Sequence, residues 1–288
     1  MVGRPNVGKS TLMNALCGYK VAIVSDKPQT TRTRITGILT KDEYQMVFLD
    51  TPGLHKPKNK LGDYMVRVVN DTVSDVDTVL FLVEPVNRIG IPERLLLDKI
   101  KEFELPCILV INKIDTVEKE KLLEVISLYA AEYDFLETVP LSSKTGDGLE
   151  LLEKALREQC FDSPALFPED MVSDQPERQI AAEIIREKLL MLLDKEVPHG
   201  IAVEIEKFSE REDGITDISA VIYCEKKSHK GIIIGKNGAM LKRVGQLARR
   251  DIEDMLDCKV FLELWVKVKE DWRNSAGTLR NFGYEYQK

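Results

Sequence analysis

Short apolar runs alternate with longer stretches in which apolar residues recur every third or fourth position through the first 160 residues of the chain. The runs Gln45–Leu49, Thr78–Val83, Cys107–Ile111 and Val139–Leu141 predict buried strands. The periodic stretches at about 61–74, 92–102, 118–130 and 148–159 predict helices between them. Such alternation implies right-handed crossovers, hence an α/β domain with a mostly parallel sheet covered by helices on both faces. Ile35–Thr40, joined to the Gln45 strand by the polar turn Lys41-Asp42-Glu43, predicts an antiparallel hairpin at the sheet edge.

The pattern breaks at Phe161–Pro176, FDSPALFPEDMVSDQP, where three prolines and weak periodicity predict a linker. A long amphipathic helix follows, marked by Ile180, Ile184, Ile185, Leu189, Leu192 and Leu193. Two strands near 200–208 and 215–224, a glycine-rich helix pair near 231–256 and a last strand, Lys259–Lys269, complete a smaller α+β domain. The expected organisation is a first domain over 1–162, a linker over 163–176 and a second domain over 177–288.

Two domains also suit 288 residues, more than one hydrophobic core usually serves. No apolar run approaches the roughly 18 residues of a membrane span and no signal peptide is evident, so a cytoplasmic chain is expected. Five scattered cysteines without a CxxC pair, and three distant histidines, give no disulfide framework and no zinc pattern. Charge changes the picture more. The net charge is −7, yet Lys226–Arg250 holds eight of the 41 basic residues and none of the 48 acidic ones. A local basic surface is therefore set on an acidic body.

Candidate chemistry lies at the strand ends. Gly3-Arg4-Pro5-Asn6-Val7-Gly8-Lys9-Ser10 matches GxxxxGK[ST] and runs through Thr11 into a helix. Its glycines let successive N–H groups turn onto phosphates at a positive helix end; Lys9 adds a cation near the β- and γ-phosphates, and Ser10 a hydroxyl for Mg²⁺. Asp50-Thr51-Pro52-Gly53 ends a strand where a carboxylate can reach the Mg²⁺ water shell and the Gly53 N–H a γ-phosphate. Asn112-Lys113-Ile114-Asp115 follows the run CILVI at a strand's carboxyl end, where open α/β sheets place ligands. Asp115 can accept from both N1–H and the exocyclic amine of guanine, a donor pair absent from adenine, while Asn112 and Lys113 brace the base and the phosphate loop. Ser142-Ser143-Lys144 offers backbone donors for the guanine oxygen. Four motifs in this order predict a GTP/GDP site.

With the QTTRTR stretch, Gln29–Arg34, and the later KKSHKGIIIGKNG segment, these motifs resemble the Era family of bacterial ribosome-assembly GTPases from residue 3 to the C-terminus. The resemblance makes QTTR the first switch, with Thr31 as the second Mg²⁺ hydroxyl and Thr30 and Thr33 as alternatives. It also gives Asn6 a K⁺ beside the phosphates. Lys9, Thr31, Gly53 and Asn6 thus become the candidate catalytic set. Leu54 stands where Ras-like enzymes carry a water-orienting glutamine, so hydrolysis is expected to be slow and no general base is assigned. The family places a full central strand before the P-loop, whereas only Met1 and Val2 precede Gly3, as from an internal start or a fragment.

In the second domain, Gly235-Lys236-Asn237-Gly238 is a GxxG between helical segments, in the element order helix, strand, strand, helix, helix, strand. That order is the type II KH pattern found at the end of Era-like chains, where the loop clamps the backbone of single-stranded RNA and an apolar groove takes the bases. Lys230, Ile234, Lys242 and Arg243 join the loop as candidate RNA contacts. Ile232, Ile233, Ile234 and Met240 are read either as the groove or as core. The resemblance implies the 3′ end of small-subunit rRNA and the 30S subunit as partners, a monomer, and peripheral attachment to the cell membrane, for which the chain shows no lipidation motif or amphipathic anchor. The rival reading is an RNA-binding assembly protein in which GTP is mainly a structural ligand. Another GTPase of this class, acting on tRNA modification or the large subunit, fits less well with a single GTPase domain and a C-terminal KH pattern.

Overall fold

The computed structural model describes residues 1–41, 43–54 and 56–284; Asp42 of the expected hairpin turn and His55 lie outside the described residues. The chain divides into two compact units.

The first comprises Met1–Val24, Thr31–Pro57 and Met65–Asp174. Its element order opens with β1 (Val2–Gly3), α1 (Lys9–Cys17), β2 (Ile35–Lys41), β3 (Tyr44–Asp50) and, from Met65 on, α2 (Lys60–Val73). It continues with β4 (Val79–Val83), α3 (Ile91–Glu102), β5 (Cys107–Ile111), α4 (Lys119–Ala130), β6 (Glu137–Pro140) and α5 (Leu149–Arg157). The parallel strands run in the order β1-β4-β5-β6. All five residues of both β4 (VLFLV) and β5 (CILVI) are buried, as a strand covered on both faces requires. Two apolar clusters flank this sheet, one through Leu12, Leu82, Val110 and Leu152, the other through Phe81, Leu97, Leu109 and Val125.

β2 and β3 form the expected antiparallel hairpin, paired from Ile35↔Asp50 to Lys41↔Tyr44. β1 holds only two residues, yet both are paired, Val2 with Phe81 and Gly3 with Leu82, and the Met1 nitrogen donates to the Leu49 carbonyl at 2.7 Å. The end of β3 is thereby brought beside the start of the phosphate loop. The proline-rich stretch lies along the hairpin, where the Ile38 N–H donates to the Val172 carbonyl and the Ser173 hydroxyl to the Thr36 carbonyl.

The second unit comprises Ser25–Thr30, Lys58–Tyr64 and Gln175–Lys288. From residue 177 its order is α6 (Glu177–Leu192), β7 (Ala202–Glu210), β8 (Thr216–Cys224), α7 (Lys227–Ile234), α8 (Ala239–Leu256), β9 (Val260–Val268) and α9 (Ala276–Asn281). β8 is central, antiparallel to β7 and parallel to β9. The parallel neighbour exists because α7 and α8 carry the chain back across the sheet. Ile185, Leu189, Ile222, Ile233, Val244, Ala248 and Ile252 fill the core between sheet and helices. Trp272, fully buried, ties the C-terminal segment down by donating its indole N–H to the Gly200 carbonyl at 2.9 Å.

Candidate functional site

In the first unit, the expected residues converge at the carboxyl ends of β1, β3, β5 and β6. Gly8, at the N-cap of α1, adopts φ 102°, and a side chain there would put its Cβ 2.2 Å from Asn112 Nδ2. Only glycine lets the two loops approach this closely. Asn112 uses that proximity: its amide donates to the Val7 carbonyl at 2.7 Å, and its oxygen accepts from the Ser143 N–H at 3.0 Å. Three of the four motifs are joined through this one side chain. The DTPG loop joins by crowding, since a Cβ on Gly53 would lie 2.6 Å from Pro5 Cα, and the buried Thr51 hydroxyl donates to the Met1 carbonyl at 2.9 Å.

Three oxygens meet where a metal is expected. Asp50, wholly buried, accepts through Oδ2 from Ser10 Oγ at 2.6 Å and from Thr31 Oγ1 at 3.2 Å, and those hydroxyls lie 3.0 Å apart. Asp50 Oδ1 is buried and meets no donor among the described residues. Of the three candidate threonines, Thr31 reaches this cluster: the Thr30 hydroxyl is committed to the Lys27 carbonyl at 2.7 Å, and among the described residues no hydrogen bond joins Thr33 to it. Lys9 is buried beside them, its ammonium donating to the Gly3 and Arg4 carbonyls at 3.2 Å. Burial pushes the Asp50 carboxyl up and the Lys9 ammonium down from their ordinary values, each partly restrained by the other's charge. A hard oxygen set with an orphaned carboxylate oxygen fits Mg²⁺, and a desolvated ammonium at a helix N-terminus fits a polyphosphate.

The base end is shaped by Ser142. Its hydroxyl donates to Asp115 Oδ1 at 2.7 Å, turning the exposed carboxylate into place. The Ser142 N–H is committed to the Asp147 carbonyl at 2.8 Å and the Ser143 N–H to Asn112. Lys144 thus carries the loop N–H that no acceptor engages among the described residues. Lys113, in the left-handed region at φ 65°, sends its ammonium to the Asn6 carbonyl at 2.7 Å. Leu54 is 6% exposed and packs in the core with Val2, Val69 and Val73, so it faces away from the phosphate side.

In the second unit, the GxxG loop links α7 to α8. Gly235 takes φ 73°, ψ 175°, a region essentially closed to other residues, and a Cβ there would lie 2.7 Å from Met240 Cβ and 2.9 Å from its nitrogen. Lys236 and Asn237 are exposed at the tip and Gly238 caps α8. Beside the loop runs a groove of about 400 Å³, lined from Gly238 by Leu241, Lys242, Gly245, Gln246 and Arg249 on α8 and by Leu262 and Leu264 on β9. Its apolar floor is therefore Leu241, Leu262 and Leu264. Ile233 is fully buried and Ile234 and Met240 pack against the same core, so these three are core, whereas Ile232 is exposed and belongs neither to that core nor to the groove lining. Lys242 lines the groove; Lys230, on α7, and Arg243, exposed on α8, do not. The β9 leucines escaped the sequence because only the register of β9 beside β8 shows which of its side chains face α8, and Arg249, one of the basic run, because its place in the groove depends on how α8 lies against β9.

Fold and site together define a P-loop GTPase carrying a KH domain. The 50S ribosome-binding GTPase family model matches residues 1–113, and the KH domain model matches residues 196–273. The chain is 52% identical over 288 residues to the GTPase Era of Ruminiclostridium cellulolyticum, covering 100% of this chain and 97% of that protein. It is 54% identical over 286 residues to the GTPase Era of Alkaliphilus metalliredigens, covering 99% and 97%. The chain belongs to the GTPase Era family and is a GTP hydrolase. Two solved structures superimpose with a TM-score of 0.95 at 39% identity, each covering 99% of this chain and 97% of its own. One is Aquifex aeolicus Era bound to GDP·AlF₄⁻; the other is Era with MgGDPNP and nucleotides 1506–1542 of 16S ribosomal RNA.

Proposed function

We propose that this chain is a slow GTPase whose nucleotide state governs its hold on the single-stranded 3′ end of small-subunit rRNA during 30S assembly. The observation that carries the proposal is the glycine-bounded loop and leucine-floored groove of the second unit, on a chain whose relative holds MgGDPNP and 16S rRNA together. Residues 1–162 serve as the nucleotide domain, 163–176 as the connection and 177–288 as the RNA-binding domain. The 50S ribosome-binding GTPase family matches residues 1–113 alone, whereas the Era relatives match the chain throughout.

Lys9, with the N–H groups of Gly3 and of Asn6–Thr11, takes the phosphates at the start of α1. Ser10, Thr31 and Asp50 hold Mg²⁺, which when bound compensates charge across the β- and γ-phosphates. The Gly53 N–H reads the γ-phosphate from the DTPG loop. Asp115 reads the guanine edge, the Lys144 N–H meets its oxygen, and Asn112 and Lys113 brace base and phosphate loops together. Leu54, packed in the core, does not replace the water-orienting glutamine. We assign the missing transition-state charge to K⁺ held beside Asn6, which is exposed at the tip of the phosphate loop. Hydrolysis is expected to be several-fold faster in K⁺ than in Na⁺ at equal ionic strength; equal rates in a phosphate-release assay rule this assignment out.

Lys236, Asn237, Lys242 and Arg249 grip RNA phosphates while the leucine floor takes bases, as in other KH grooves. Lys230, Ile234 and Arg243 border that path. Among the described residues no helix is long and apolar enough to cross a membrane. From the family resemblance we read a cytoplasmic monomer, with any membrane contact confined to the periphery. The burial of Leu54 also favours a second reading, in which GTP is a structural ligand and turnover has little role. The affinity for a labelled copy of the rRNA 3′ end decides between them. Tighter binding with a GTP analogue than with GDP is expected, and equal binding favours the structural-ligand reading.

A further inference from the structure

Glu84 takes no part in the four nucleotide motifs, yet its carboxylate joins two of them. It follows Val83, the last residue of β4, and β4 lies between β1, which launches the phosphate loop, and β5, which launches the base loop. That position puts one carboxylate between two cations far apart in sequence. Oε2 accepts from Arg4, the second residue of the phosphate loop, and Oε1 from Lys113 of the base loop. The ends of this chain of charges are anchored too. Lys113 also donates to the Asn6 carbonyl at 2.7 Å, and Arg4 Nε lies 3.7 Å from Glu93, a buried residue in the first turn of α3. Arg4, Glu84 and Lys113 are each partly shielded, at 30%, 21% and 37% side-chain exposure, so the contacts are less screened than surface pairs. Partial burial alone would push the Glu84 carboxyl up; Lys113 and Arg4 outweigh it and hold the carboxyl below its ordinary range.

We propose that Glu84 is a positioning residue for nucleotide binding, fixing Lys113 in the conformation that spans from base loop to phosphate loop. Without its charge, Arg4 keeps only its 3.7 Å approach to Glu93 and Lys113 loses its carboxylate partner, so Lys113, the more exposed and flexible of the two, swings towards solvent. The two loops then lose the link that sets their spacing before nucleotide arrives, and ordering them again is charged against binding. An amide in place of the carboxylate cannot restore the arrangement, since it offers one acceptor oxygen where two cations need two. The inference rests on the proposed role of Lys113 as a brace for the nucleotide.

The test is equilibrium binding of a fluorescent GDP to the intact chain and to Glu84→Gln, Glu84→Asp, Lys113→Met and the Glu84→Gln/Lys113→Met double variant. Glu84→Gln is expected to weaken binding by about tenfold, the scale of one charge-assisted hydrogen bond. The double variant is expected to bind within about twofold of Lys113→Met alone, because Glu84 acts through that lysine. Glu84→Asp is expected to recover part of the loss, which a general weakening of the fold would not allow. Unchanged affinity in Glu84→Gln overturns the inference, as does a loss that multiplies in full with that of Lys113→Met. If Lys113→Met alone binds GDP like the parent chain, it is the reading of the base loop that fails.

Discussion

A Gly235→Asp variant is expected to lose at least about a hundredfold in affinity for a single-stranded copy of the small-subunit rRNA 3′ end, close to 3 kcal/mol, while binding GDP as before. Two effects add. At φ 73°, ψ 175° any side chain strains the loop, at roughly 1–3 kcal/mol, and here the new Cβ would also strike the Met240 backbone nitrogen 2.9 Å away. The carboxylate then sits next to Lys236, where a phosphate should be, so repulsion replaces attraction. A gentler companion separates charge from shape. Lys236→Ala keeps the backbone and is expected to lower the salt dependence of RNA binding by about one phosphate contact. RNA affinity that survives Gly235→Asp in a fluorescence-anisotropy titration removes the loop from the RNA site.

At the other site the largest change is expected from Asp115→Asn, with GTP affinity falling at least about a hundredfold and xanthosine triphosphate becoming the better ligand. The carboxylate can accept from N1–H and the exocyclic amine together, and charge-assisted hydrogen bonds are worth about 1.5–3 kcal/mol each. Asparagine keeps one acceptor and adds an N–H₂ group, which opposes the guanine amine but suits the carbonyl of xanthine. The Ser142 hydroxyl, 2.7 Å from Asp115 Oδ1, can still hold the substituted side chain through its oxygen, so the swap of preference should appear without collapse of the loop. Competition between the two triphosphates for the same protein measures it. Retained preference for GTP would sink the assignment of Asp115 to the base.

The nucleotide motifs were legible because each is short, lies at a strand end and depends on residues close in sequence. Asn112-Lys113-Ile114-Asp115 after CILVI needs only the strand's length and the next loop to be recognised. The hairpin, the crossover helices and the KH element order were legible for a related reason: period-two and period-3.6 patterns record which faces are buried. Thr31 was not separable from Thr30 and Thr33 on pattern alone. What separates them is reach, since Thr31 meets Ser10 and Asp50 while the Thr30 hydroxyl turns to Lys27.

By itself, then, the chain's sequence determined the two fold classes, the order of elements, the guanine-nucleotide motifs and the glycine loop in its basic surround, since local periodicity and backbone chemistry dictate all of these. Tertiary structure alone decided which contacts cross between elements. It placed Glu84 between Arg4 and Lys113, set Leu262 and Leu264 of β9 opposite Leu241 of α8, and engaged the Ser142 and Ser143 N–H groups while leaving that of Lys144 without an acceptor among the described residues. The physical reason is the same in each case. Strand order and register bring together residues that are distant along the chain, and neither leaves a periodic trace in the residues it unites.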